Sequence, residues 1–366
     1  MSNPKQPVLI LGAGLAGLHL AWSLYLRKHP FRIASRDFGK PAWHASAGII
    51  NPVTGKRVVK SWRIDTLLPS AIERYRAIAE TLGAPSAYHA SPLMRFFRGD
   101  PDEIERFNER RLDSEYAPYL EHPVCSDENG FSISQSGWVD VRAFVEESRQ
   151  FFLEKSILLT SEEPVSAATL NFAESGIIWN GGNWEHVVFC EGYHGEKNPY
   201  FDWLDYRISR GDVLDFEAEF ELPQSILNRE KWVLPLSSKT GRTGSTYAWD
   251  NLEAEPKTTD ALPLLGAWSD LLPQLPEVTI TQHRVGIRSG TNDSKPYAGP
   301  HPLDKHLCIL NGFGSKGASQ SPWCAERLAE FLIDGTALPK DIDPARRLKF
   351  LKQPLRKPRD IPTSNA

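Results

Sequence analysis

The sequence is poor in cysteine, shows no strong excess of either charge and has almost no long apolar run. Each shortage removes a class of protein. The four cysteines, Cys125, Cys190, Cys308 and Cys324, are scattered with no Cys-x-x-Cys pair. A disulfide framework or structural zinc site is therefore not expected, and a reducing, cytoplasmic location is. Ten histidines form no HxxH or HExxH spacing, so no catalytic metal is indicated. Lys plus Arg number 42 against 46 Asp plus Glu, a net charge of −4, which argues against nucleic acid as the main partner. From Gln6 to Leu26 there is no Asp, Glu, Lys or Arg, roughly the length of a membrane span. However, Gly12, Gly14, Gly17 and His19 interrupt it and no small-residue cleavage site follows, so neither a span nor a signal peptide is expected.

What is present is the composition of a globular protein: 366 residues, 40% hydrophobic and 24% charged. That length exceeds the roughly 250–300 residues one core usually organises, so two domains are expected. Val8-Leu9-Ile10-Leu11 reads as a buried strand, and Leu15 to Arg27 has apolar residues at helical spacing. A second helix is predicted from about Thr66 to Leu82, capped by Asp65 or Thr66, with Pro69 in its first turn and Gly83 ending it. A third begins at Asp140. Short strands fill Ile157 to Cys190 and Trp232 to Trp249. His306 to Leu310 reads as a buried strand, a glycine-rich loop follows, and a helix is predicted over Pro322 to Ile333. After Asp343 the basic, proline-rich sequence reads as a tail.

Gly12-Ala13-Gly14-Leu15-Ala16-Gly17 fits GxGxxG between a strand and a helix. The first glycine permits the tight turn, the second lets a pyrophosphate approach the backbone, and the third brings helix and strand together. The helix N-terminus offers unpaired N–H groups and a partial positive charge to phosphates. The acidic ribose ligand expected about 20 residues on is displaced: Ser35 occupies its place, followed by Arg36 and Asp37. Ser35 and Asp37 are the ribose candidates. Arg36 raises a 2′-phosphate, hence NADP, with a solvated arginine as the simpler reading.

With these residues in place, the chain resembles the D-amino-acid-oxidase-like family of FAD-dependent amine oxidoreductases, which includes glycine oxidase and sarcosine oxidase. Three blocks carry the resemblance. The first joins the GxGxxG unit to Ala45-Ser46-Ala47-Gly48-Ile49-Ile50-Asn51-Pro52. The second joins Gly137-Trp138-Val139-Asp140 to Val187-Val188-Phe189-Cys190-Glu191-Gly192. The third is Gly286-Ile287-Arg288-Ser289-Gly290-Thr291 through Pro296-Tyr297-Ala298-Gly299, followed by the loop from Asn311 to Ala318. Ser289 replaces the proline usual after the family arginine, and residues 84–134 and 196–230 match nothing.

The resemblance implies an α/β fold: a Rossmann-like FAD-binding domain of discontinuous segments (1–83, 135–195 and 285–345), with an inserted α+β substrate domain (84–134 and 196–284) carrying a mainly antiparallel sheet. Residues 346–366 form the tail. It implies non-covalent FAD held by residues 12–17, Ser35, Arg36, Asp37, Ser46, Ala47, Gly48, Ile49, Val165, Gly192, Gly312, Phe313, Gly314, Ser315, Gly317 and Ala318. His44 lies near the segment where some relatives attach FAD covalently, but its spacing to Gly48 differs by one position from theirs. Arg288 is expected to bind the substrate carboxylate bidentately. The loop's N–H groups, with Lys316, would face the negative charge that develops on the flavin. Tyr247 would roof the site, and Asn51, Arg57, Trp249 and also Lys56 are candidates to face substrate. The expected reaction is oxidation of a C–N bond of a small amino acid or secondary amine by hydride transfer to flavin N5, with O₂ or a respiratory or other carrier as acceptor. Two alternatives stay open: an oxidase of a modified tRNA nucleoside, with Lys56, Arg57, Lys60 and Arg63 as a local basic patch, and a nucleotide-binding protein without redox turnover.

Overall fold

A computed structural model describes residues 7–35, 39–120, 130–160, 170–173, 176–271 and 278–361. Six α-helices are described: α1 Leu15–Leu26, α2 Ile64–Leu82, α3 Pro101–Arg110, α4 Val141–Glu154, α5 Thr258–Leu271 and α6 Gly317–Asp334. Two large sheets organise the strands.

The first sheet has the order Tyr297–His301, Asp304–Asn311, His186–Phe189, Val8–Leu11, Phe31–Ser35, Leu158–Thr160. Its neighbours run parallel except the pair Tyr297–His301 and Asp304–Asn311. Val8–Leu11 lies at its centre with every residue buried. Val8 and Ile10 join the core beneath α1, α2, α4 and α6, while Leu9 and Leu11 join a second core with Tyr200, Phe201 and Tyr297. The strand's period of two thus feeds both faces, which is why it reads as a continuous apolar run.

The second sheet has the order Thr279–Thr291, Tyr206–Glu217, Thr240–Gly244, Trp232–Pro235, Ile226–Asn228, Leu93–Phe96, Gly130–Ile133. It is antiparallel apart from the pair Ile226–Asn228 and Leu93–Phe96. The boundary expected at residue 285 falls inside a continuous strand: Thr279–Thr291 pairs with Tyr206–Glu217 from Tyr206↔Thr291 to Glu217↔Thr279. Arg288 therefore belongs to this second sheet.

Two helices start earlier than their sequence pattern suggested, and both contain a proline beyond the first turn. α2 begins at Ile64, its N-cap Arg63 in the left-handed region (φ 49°) and making no side-chain cap. Asp65 lies in its first turn and binds Lys60 (2.7 Å) and the Tyr119 hydroxyl (2.6 Å). α6 begins at Gly317 and runs through Pro322. Pro322 has no N–H to give the Ala318 carbonyl four residues before it; the Tyr75 hydroxyl of α2 donates to that oxygen instead, at 3.1 Å. The helix expected from Asp140 runs from Val141, with Asp140 as its N-cap, Oδ1 accepting from the Ala143 N–H at 3.0 Å.

The segment after Asp343 is no free tail over its described length. Arg346 pairs with Asp293 (3.0 Å) and lies over the Tyr297 ring (4.3 Å), Arg347 pairs with Asp205 (2.7 Å), and Ile361 is buried in the second core. Its basic residues meet carboxylates of the body, which sequence spacing does not reveal. No described helix is long and apolar enough to cross a membrane.

Candidate active site

A cavity of about 620 Å³ opens between the carboxyl ends of the first sheet's strands and the face of the second sheet. Leu11, Ser35, Cys190 and Asn311 line it from one side, Gly211, Trp232, Ile287 and Arg288 from the other. Ligands of open α/β sheets bind at such a crevice.

Ala13, Gly14, Leu15 and Ala16 face this cavity. A Cβ on Gly12 would strike the Cys190 carbonyl oxygen, and one on Gly17 would strike the Gly12 carbonyl oxygen. Gly12, with φ 115°, also needs glycine for its backbone. At Gly14 a Cβ would meet only Trp43, at 3.9 Å, so there the missing side chain leaves open space in front of the helix N-terminus. Ser35 Oγ accepts from the Ala13 N–H at 3.2 Å, tying the second strand's end to the turn. Arg149 of α4 also lines the cavity and donates to the Ala13 carbonyl at 3.3 Å.

The small-residue segment is strapped to the second block. Ile50 N–H donates to the Gly137 carbonyl (2.8 Å), and Val139 N–H donates to that of Gly48 (3.1 Å). Gly48 has φ 65°, and a Cβ there would strike the Val139 backbone. Ser46, Ala47, Gly48, Ile49 and Asn51 all line the cavity.

The loop before α6 closes the opposite side with Phe313, Gly314, Ser315, Lys316, Gly317 and Ala318. Its Gly314 N–H donates to the Ser289 carbonyl at 2.7 Å, so the loop and the arginine strand are joined directly. Lys316 Nζ reaches Ser61 Oγ at 3.4 Å, and burial pushes its pKa down to about 8. Arg288 donates to the carbonyls of Thr246 (3.3 Å) and Arg210 (3.4 Å), and its guanidinium lies 4.4 Å from the Tyr247 ring centroid. Among the described residues it forms no ion pair with a carboxylate. Gly211 makes its room: a Cβ there would collide with the guanidinium. Burial lowers the pKa of Arg288, well short of discharging it.

The glycine turn, the small-residue segment, Gly192, the carboxyl-side loop, Tyr247 and Arg288 thus share one cavity. Gly17, Gly312 and Trp249 are not among its lining residues; Trp249 stands exposed beside Tyr247. Lys56 and Arg57 are exposed on the turn after Thr54 and do not line it, although Thr54 does. His44 is exposed and packs against Trp43 with ring centroids 4.0 Å apart. Arg36, Asp37 and Val165 lie outside the described residues. Sequence reasoning missed Trp43, Arg149, Glu191, Lys197, Asn228 and Trp232 as lining residues. Glu191 is the one carboxylate among them; burial raises its pKa to about 7, and Asn198 donates to it at 2.7 Å. Only its place directly after Cys190, at the end of a buried strand, hinted at its position.

These residues fit a dinucleotide. The turn leaves a cradle that a Cβ would fill, and Arg149, Lys197, Arg288 and Lys316 line the cavity against the single carboxylate of Glu191. The chain is similar to known proteins in the same terms. It is 23% identical to the bifunctional protein ThiO/ThiG of Synechocystis over 91% of this chain and 52% of that protein. It is 25% identical to the tRNA 5-methylaminomethyl-2-thiouridine biosynthesis bifunctional protein MnmC of Marinobacter nauticus, over 89% and 55%. The chain thus spans about half the length of these curated relatives. Over a shorter stretch, 37% of each chain, it is 30% identical to the glycine oxidase of Pseudomonas putida. Among solved structures, iminodiacetate oxidase from Chelativorans sp. superposes with a TM-score of 0.75 at 17% identity, covering 92% of this chain and 98% of that one. Glycine oxidase from Geobacillus kaustophilus gives 0.73 at 20%, covering 91% and 96%. Residues 7–331 match the family model described as DAO, FAD dependent oxidoreductase. The chain belongs to that family: it is an FAD-dependent oxidoreductase, and the alternative of a nucleotide-binding protein without redox turnover falls away.

Proposed function

We propose that this enzyme oxidises the C–N bond of a small amino acid or secondary amine whose carboxylate is held by Arg288. The observation that carries this reading is a guanidinium facing the cavity with no carboxylate partner among the described residues. A planar fork so placed binds a carboxylate through two parallel hydrogen bonds and fixes the α-carbon. FAD, when bound, supplies the hydride acceptor at flavin N5, with O₂ or another carrier as the final acceptor.

The protein's part is binding, orientation and charge. The turn at residues 12–17 and the N-terminus of α1 hold the pyrophosphate, with Ser35 at the ribose. The backbone N–H groups of residues 313–317, at the start of α6, face the negative charge that develops during reduction, and Lys316 adds its own. Tyr247, half-exposed at the lip, restricts water. We hold the FAD non-covalent, since His44 does not line the cavity. In this reading the first sheet and its helices form a Rossmann-like FAD-binding domain and the second sheet carries the substrate domain, in a cytoplasmic protein.

A second reading takes the amine from a modified tRNA nucleoside. The exposed Lys56 and Arg57, on the turn that follows the lining residue Thr54, favour it. Salt-dependent RNA binding lost on reversing both charges would support it.

The test of the first reading is anaerobic addition of glycine, sarcosine, proline or D-amino acids to the purified protein. Bleaching of the flavin absorbance is expected with at least one; no bleaching with any refutes the reading. Arg288→Ala should raise KM for the carboxylated substrate about 10- to 100-fold, the worth of hydrogen bonds to a charged group.

A further inference from the structure

Four side chains form a row from the cavity outward. Tyr247 and Trp249 stand two residues apart on an extended segment. Ala248 between them bonds Arg210 in both directions, accepting from its N–H at 2.8 Å and donating to its carbonyl at 3.1 Å. Alternation along such a segment puts both rings on the same side. Their centroids are 6.4 Å apart with planes inclined by 28°. Arg288 lies against the inner ring at 4.4 Å, and Arg207 lies against the outer ring at 5.7 Å. The rings are 51% and 57% exposed, and Arg207 is exposed with no ion pair to a described carboxylate.

Aromatic rings of this size normally bury most of their surface. Two neighbouring rings left half in water at the mouth of a cavity, each backed by a cation, make a platform on which a further planar group can stack. The inner end of the row is the arginine assigned above to a carboxylate. The outer end offers a flat indole face and a guanidinium with no ion pair among the described residues.

Resting on that assignment of Arg288, we propose that Trp249 and Arg207 form an outer subsite for a planar ring carried by the amino-acid substrate, with an anionic substituent on that ring meeting Arg207. The preferred substrate is then an N-arylmethyl amino acid rather than a bare small amine. Its carboxylate enters the cavity while its ring stays at the lip on Trp249.

The probes are sarcosine, N-benzylglycine and N-(4-carboxybenzyl)glycine. Trp249→Ala should lower the ratio of kcat/KM for N-benzylglycine over sarcosine about tenfold, with the loss in KM, and Trp249→Phe should restore most of it. Arg207→Ala should erase the preference for the carboxybenzyl over the benzyl compound. An unchanged ratio in Trp249→Ala overturns the subsite. If the wild type bleaches with no amine, the reading of the reaction fails on its own account. The subsite is then decided by binding, from the perturbation of flavin absorbance by N-benzylglycine. Weaker binding to Trp249→Ala upholds the subsite, and equal binding overturns it.

Discussion

Arg288 owes its position to a residue with no side chain. Gly211 lies on the neighbouring strand two residues along from Ser209, the register partner of Arg288, and any Cβ there would occupy the space of the guanidinium. Gly211→Ala should push Arg288 out of line while the ladder between the strands persists. Steady-state kinetics should then show KM for a carboxylated substrate rising about tenfold, with the melting temperature near that of the wild type. Glu191 gives a second expectation at this scale. Its carboxyl, raised to about 7 by burial, follows Cys190, whose carbonyl packs against Gly12 of the phosphate turn. Below pH 7 it is neutral. Above pH 7 it ionises and adds a negative charge to a cavity that, on the proposed reading, holds a pyrophosphate. Fluorescence titration of the apoprotein with FAD should show affinity falling as pH rises through 7, and Glu191→Gln should flatten that dependence.

Among the elements, α6 shows how tertiary contacts complete what local sequence leaves open. Its proline leaves the Ala318 carbonyl without a helical donor, and Tyr75 of α2 fills the gap while also meeting His19 of α1 at 3.2 Å. Tyr75→Phe removes a hydrogen bond shared by three helices in a fully buried place. Urea unfolding should register a loss of about 1–3 kcal/mol. The small-residue segment is legible only through its family resemblance. The first strand, the glycine turn and the start of α4 are legible from local pattern alone, because period and φ preference are properties of neighbours in sequence. The early starts of α2 and α6 are not. Pro69 and Pro322 discourage reading a helix across them, and what offsets Pro322 is a hydroxyl from far along the chain. Arg288 is legible through its motif, but its cation–ring contact, its glycine niche and the exposed pair beside it depend on strand register. Arg149 reaches the cavity from α4, Lys197 from the helical turn Gly192–Lys197 and Trp232 from a strand, segments whose sequence does not show which side chain turns inward.

For the molecule as a whole, the site has no single owner in the chain. Residues 12–16, 46–49, Asn51, 191–192, 288–289 and 313–318 line one cavity, so on the proposed reading cofactor binding ties together segments spread over much of the sequence. A ligand that binds only the folded form stabilises it by mass action. FAD at about 100 times its dissociation constant should add about 2.7 kcal/mol. Thermal unfolding at increasing FAD concentration should show a steadily rising midpoint, and Gly14→Val, which fills the cradle, should abolish the rise. The strap of Arg346 and Arg347 acts at the same scale, fastening the chain's last described stretch to Asp293 and Asp205.

The bond from Gly314 to Ser289 lies far along the sequence from the glycine turn with which it shares the cavity. On the proposed reading, a chain that ends before Gly312 holds only half of the flavin's cradle. The vitamin-derived group is then captured only where that loop is present, so a product truncated ahead of it should emerge colourless.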